Sequence, residues 1–268
     1  MTDLQKIIKY AAIGLAVILI VSIFFGIFKA VALLGIISSG FEEGTASMQE
    51  YPVTETVTEL EINIGAAELT VNLGDSFALS SNFRDLKVEQ ANGCLTIKET
   101  RQFGKNYNGA KLQLTVPSGH IFEKVSIFSG AGKVEIQALS TQNLALNLGA
   151  GQTVIHQLNA SRNALISTGA GELILSGGEL HDLDLDLGVG MVTLKSRLTG
   201  ESEIDQGIGQ VELTLVGSQE DYRIHIEKGV GDARIGGQTV KNDTVCGTGN
   251  AEVEISGGIG SISVFFTE

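Results

Sequence analysis

Pairs of glycines around one small or branched residue open at Gly130, Gly149, Gly169, Gly188, Gly207, Gly229 and Gly247, separated by 19, 20, 19, 19, 22 and 18 residues. Seven copies at so steady a period define a repeat architecture, and the meaning of any one copy follows from the array. Five and three residues before the first glycine stand Val125 and Ile127, Leu144 and Leu146, Ala164 and Ile166, Leu183 and Leu185, Ser202 and Ile204, then Ile224 and Ile226. Four and six residues after it stand pairs such as Val134 and Ile136, Leu173 and Leu175, Val192 and Leu194, and finally Ala251 and Val253. Alternation on both flanks marks two strands, each with one buried face, joined at a bend. Glycine suits such a bend because it accepts positive φ and lets stacked backbones approach closely. The residue between the glycines (Ala131, Ala150, Ala170, Val189, Ile208, Val230) is apolar, as expected of a side chain turned inward.

A phosphate-binding glycine loop needs a helix after it, whose amides and dipole face the anion; here a strand follows each copy, which excludes a nucleotide site. Identical units bury their apolar faces by stacking. The fold predicted is therefore all-β: a parallel β-solenoid (β-helix) of coils of about 19 residues, with an antiparallel β-sandwich as the alternative if the bends are hairpin turns. Near-constant coil length favours the solenoid, since coils must stay in register. The pattern begins early, at LEINIGAAELTV, where Ala67 replaces the second glycine, and ends late at Gly258, a shortened copy expected to cap the open end. Between them, LKVEQANGCLTIK reads as a hairpin turning at Asn92-Gly93.

From Tyr10 to Phe28 the chain runs 19 residues without a charge, about 28 Å of helix, and after Lys29 a second apolar stretch continues to Ser39. This predicts an N-terminal transmembrane α-helix. The rival reading is a cleaved signal peptide, since Ala30-Val31-Ala32 has a small-x-small form, although the apolar run exceeds the usual signal core and Lys29 interrupts it. Lys6 and Lys9 precede the helix, so a single-pass cell-membrane protein with a cytoplasmic N-terminus and an extracytoplasmic bulk is expected. The division expected is a tail at 1–9, the helix and its apolar extension at 10–39, a polar linker at 40–56, an irregular β section with the hairpin at 57–122, and a regular solenoid with a C-terminal cap at 123–268.

Residues 41–268 hold 15 basic and 30 acidic side chains, a balance that repels nucleic acid and anionic headgroups. The lipid bilayer, reached through the helix, and an envelope polysaccharide or protein are the partners expected. Cys94 and Cys246 lie in no CxxC or Cys/His cluster, so no redox or zinc motif is present; one long-range disulfide and two separate thiols both remain open. HDLDLDLGVG places Asp182, Asp184 and Asp186 on an outward phase, and the next repeat places Glu203 and Asp205 at the matching positions, followed by Glu227. Stacking brings Asp186 and Asp205 within about 5 Å, so Asp184, Asp186 and Asp205 are the candidate cation ligands, or a carboxylate pair for glycan chemistry. Solvated carboxylates keeping a long sheet soluble are the plain alternative. The spacing fits neither an EF-hand nor a calcium β-roll. His120, His156, His181 and His225 are scattered, and His225 falls on the outward phase. Asn159 and Asn242 stand in glycosylation-type triplets. No cofactor is expected.

At LQLTVPSGHIFEKVSIFSGAGKVEI (112–136), with its VPSG joint leading into the first regular repeat, the chain resembles a family of bacterial candidate adhesins built of β-strand repeats. The likeness spans roughly residues 55–268. It implies a membrane helix followed by a solenoid of short glycine-marked coils, and carries over no catalytic or binding residue. Some relatives stand near envelope-stress regulators. The function expected is a non-enzymatic, membrane-anchored envelope protein, adhesin-like or scaffolding; an accessory regulator of an envelope-stress system and a glycan-cleaving β-helix enzyme are the alternatives.

Overall fold

The computed structural model describes residues 47–53, 57–83, 85–100 and 109–268. They belong to one compact unit and are all-β apart from a single 3-10 turn at Gln219–Asp221. The predicted tail, the transmembrane helix at 10–39 and most of the linker lie outside the described residues. Among the described residues no helix is long and apolar enough to cross a membrane.

In chain order the strands are β1 (Gln49–Tyr51), β2 (Glu59–Gly74), β3 (Ala78–Ser81), β4 (Leu86–Ala91), β5 (Cys94–Glu99), β6 (Lys111–Pro117) and β7 (Phe122–Leu175). They continue with β8 (Gly178–His181), β9 (Leu183–Thr199), β10 (Glu201–Val216), β11 (Tyr222–Ile235), β12 (Gln238–Val240), β13 (Thr244–Cys246) and β14 (Ala251–Thr267). The long β7 is one extended segment that turns three corners, at Gly130, Gly149 and Gly169. β2, β9, β10, β11 and β14 turn one each. Neighbouring coils pair in parallel, β2 with β7, β7 with β9, β9 with β10. The bends are thus coil corners rather than hairpin turns, and the sandwich alternative falls away.

The inward rows run along the whole stack. Ile127, Leu146, Ile166, Leu185, Ile204, Ile255 and Ile226, three residues before each corner, are all buried, as are Ile136, Ile155, Leu175, Leu194, Leu213, Val264 and Ile235 on the far side. Each such side chain contributes about 1.5–3 kcal/mol by leaving water, and in a parallel ladder without register shift each stacks on its counterpart. The corners are drawn together so closely that a Cβ on either glycine would meet the carbonyl oxygen of the adjacent corner. At the second glycine the backbone is also left-handed, as at Gly190 (φ +150°) and Gly209 (φ +145°), so only glycine fits there. Ala67 stands at this position in the corner that no Gly-x-Gly corner precedes.

Two expectations about the corners fail. Ala150, Ala170, Val189 and Val230, between the glycines, are exposed instead of turned inward. The inward rows sit at odd offsets before the corner and even offsets after it, so the bend breaks the alternation and its middle residue falls on the outer side. Gly247-Thr248-Gly249 is not a corner at all. A Cβ on Gly249 would meet the backbone of Asp221 and Tyr222, so this segment has glycine because it crosses another backbone closely.

The last corner, at Gly258, does not cap the stack. β14 lies between β10 and β11, paired in parallel with both: Ile204 stands opposite Ile255, and Ile255 opposite Ile226. Corners therefore follow the order Gly188, Gly207, Gly258, Gly229. The sheet is mixed because both ends of the stack switch to antiparallel pairing. At one end β12 and β13 fold back on β11. At the other, β5 and β6 pair in parallel with β2, and β4 closes a hairpin on β5 through Asn92 (φ +52°) and Gly93 (φ +79°). β3 lies antiparallel on β6, and β1 on β3. The stack thus ends in short edge strands, β1 and β4 at one end and β12 and β13 at the other, which offer other chains less unpaired backbone than a whole terminal coil. Cys94 on β5 and Cys246 on β13 thus belong to opposite ends of the stack, and both are free thiols.

Candidate functional site

The outward residues beside the corners form rows along the stack. Four residues before the corner the row reads Ser126, Ala145, Leu165, then Asp184, Glu203, Glu254 and His225; two before, it reads Phe128, Asn147, Ser167, then Asp186, Asp205, Ser256 and Glu227. The β7 coils are uncharged in these rows, whereas the coils of β9, β10, β14 and β11 are acidic. Asp184 faces Glu203 and Asp186 faces Asp205 across one ladder spacing, as the repeat spacing predicts. Glu227 is not the next residue in its row, because β14 places Ser256 between Asp205 and Glu227.

Crowding of like charges sets the electrostatics. Partial burial, then the charges of Asp184 and Asp205, holds the Asp186 carboxyl above its ordinary range. Asp205 is the largest influence raising Glu203, followed by burial, Asp184, Glu254 and Asp186. Arg223 pairs with Glu252 at 3.1 Å, and the Lys228 ammonium, in one groove with Asp186, Asp205 and Glu227, donates to the Gly231 carbonyl. Asp186, Asp205, Glu227, Lys228, Asn242 and Ser256 line this open groove of about 670 Å³ along the glycine corners.

The histidines divide by environment. His120 packs edge-on against Phe77 and Phe122, with ring centroids 5.0 and 4.4 Å away, and the Nδ1 of His181 lies 3.0 Å from the Thr199 hydroxyl. His225, expected to be solvent-exposed, is half-buried between Asp243 and Glu254. Its hydrogen bond with Asp243, foremost, raises its pKa. Glu254 and Asp243 escape a reading of the sequence because the first reaches His225 only through the placement of β14, and the second through the fold-back of β13. Both triplet asparagines are engaged: the Asn159 side chain donates to Ser140 and accepts from the Glu179 amide, and Asn242 accepts from the Lys228 amide.

A stack of glycine-cornered coils with a mixed sheet at each end defines a β-solenoid-like protein. Residues 56–245 match the Toastrack DUF4097 family, and the chain belongs to that family. The match ends before β14. No curated protein matches the chain. Solved structures similar to it include a candidate cell adhesion protein from Clostridium sporogenes, 14% identical, covering 82% of this chain and 99% of that one with a TM-score of 0.30. A candidate adhesin from Bacteroides fragilis is 12% identical, covering 81% and 96%, at 0.35. A candidate lipid-binding protein from Parabacteroides distasonis is 14% identical, covering 84% and 95%, at 0.32. Likeness of this degree carries no functional argument.

Proposed function

We propose that the chain is a non-enzymatic binding protein of the cell envelope, adhesin-like or scaffolding, held in the lipid bilayer by residues 10–39. One observation carries the reading: four adjacent coils present their carboxylates in straight rows beside an open groove, at the strand spacing of about 4.8 Å. Rows of this kind suit an elongated partner that meets many coils at once, an envelope polysaccharide or protein bearing cationic groups. The full chain, reconstituted in detergent and mixed with envelope fractions, is expected to retain such a polymer, and the triple change of Asp184, Asp186 and Asp205 to Asn to release it. Retention of nothing by the unaltered chain, or equal retention by the triple variant, contradicts the reading.

The facing pair Asp186 and Asp205 also favours a second reading, glycan cleavage, because one carboxyl with a raised pKa beside another is the arrangement acid–base hydrolysis uses. The same triple variant separates the two: a polysaccharide digest whose products disappear with the variant supports cleavage, and a digest with no products removes it.

A further inference from the structure

The imidazole of His225 is held by carboxylates on both sides. Its Nε2 lies 2.9 Å from Asp243 Oδ1, a hydrogen bond, and its Nδ1 lies 3.6 Å from Glu254 Oε1, too far for one. Glu227, two residues along the same strand and therefore on the same face, brings a third group: ligand atoms of His225, Glu227 and Glu254 all lie within 4.8 Å of one another. This is how a metal-binding histidine is arranged. When one ring nitrogen donates its proton to a carboxylate, the tautomer is fixed, and the lone pair of the other nitrogen points at the ion. With the proton on Nε2 and donated to Asp243, the Nδ1 lone pair is left on the Glu254 side for an ion that displaces the second proton.

The one close approach in the cluster is near the spacing an ion imposes. Two ligands of a tetrahedral zinc ion, each at about 2.0–2.1 Å, stand about 3.4 Å apart. The 3.6 Å between Nδ1 and Glu254 needs only a small closing movement, and both glutamates are long side chains at a partly exposed surface. One imidazole nitrogen with two carboxylates suits zinc-class ions; calcium and magnesium prefer all-oxygen shells. Glu203, next to Glu254 in the row, adds negative charge that a cation relieves.

We propose that His225, Glu227 and Glu254 bind one divalent ion of the zinc class, oriented through Asp243, with a water in the fourth position. Such an ion joins β11 to β14, and through Asp243 it also ties in the turn before β13. It fastens the intercalated strand to the coil that follows it. This goes beyond the envelope-binding reading and does not depend on it.

The test uses the full 268-residue chain, free of any histidine tag and stripped by chelator, titrated with Zn2+ by calorimetry and with Co2+ by visible absorption. One Zn2+ per chain, a raised melting temperature and the d–d band of a low-symmetry Co2+ complex are expected. His225→Gln and Glu227→Gln should each abolish the tight site, with strand content checked by circular dichroism. Asp243→Asn should weaken it by about 10–100-fold. Asp184→Asn, on the same face, should leave it intact. Tight binding that survives His225→Gln overturns the proposal. So does an equal loss in Asp184→Asn, or displacement by a tenfold excess of Ca2+, since either reveals general attraction to an acidic face.

Discussion

The three coils of β7 and the four built by β9, β10, β14 and β11 share one interior and differ in the outward rows that precede the corners. Inward, both present stacked aliphatic rows and glycine corners, with Ile127 and Ile166 in one region matched by Ile204 and Ile226 in the other. Outward, the first region shows Phe128, Asn147 and Ser167 where the second shows Asp186, Asp205 and Glu227. In the first, chain order and spatial order agree; in the second, β14 enters between two strands made before it. The difference teaches that the repeat specifies the stack, while outward residues and strand order specify the site. Changes inside should hurt both regions alike, and changes outside should be felt in one only.

The largest effect is expected at the corners. Gly190→Ala would drive a Cβ into the Gly171 carbonyl at a left-handed φ, and Gly151→Ala in the first region would do the same to Gly132. Each should cost more than about 3 kcal/mol, read as loss of cooperative melting or of soluble protein. Ala67→Gly, at the same position in the earliest corner, should cost no more than about 1 kcal/mol. Next come the rows: Ile166→Ala and Ile204→Ala should each cost about 2–5 kcal/mol by denaturant titration, with values that agree between the regions. Unequal values would mean that the two regions do not share one kind of core.

The inward rows and the facing of Asp184 with Glu203 were readable because period-two alternation and unbroken coil length determine both. The direction of Val189 and Val230 was not, because the corner changes the parity of the alternation. Nor was the order of the last coils. Gly247-Thr248-Gly249 imitates a corner at the expected spacing, but its glycines serve a close crossing over Asp221 and Tyr222. Glu254 and Asp243 stayed hidden for the same reason, since each meets His225 through that unexpected topology.

A smaller effect tests the outward contrast. Folding raises the pKa values of Asp186 and Glu203 above their ordinary 3.8 and 4.5. The unfolded chain therefore ionises them more readily, so they favour the fold below those ordinary values and lose that contribution as pH rises through the folded values. With chelator present, Asp205→Asn should raise the melting temperature at pH 7 by about 1–3 °C, because these groups are largely exposed and solvent screens them. The gain should vanish near pH 4, and Asn147→Ala in the first region should show no such pH dependence. The smallest effect concerns the thiols: with Cys94 and Cys246 at opposite ends of the stack, reductant should leave the melting temperature unchanged.

The intercalation of β14 has a direct check by disulfide trapping in a chain whose two native cysteines are changed to Ser. Glu212 stands opposite Ser263, and Ser263 opposite Arg234, so Glu212 and Arg234 are two strands apart, about 9.6 Å. Glu212→Cys with Ser263→Cys should close a disulfide under mild oxidation, and Glu212→Cys with Arg234→Cys should not, since a bridge tolerates Cα separations only up to about 7 Å. Closure of the second pair and failure of the first would place β11 directly on β10 and contradict the strand order on which the site depends.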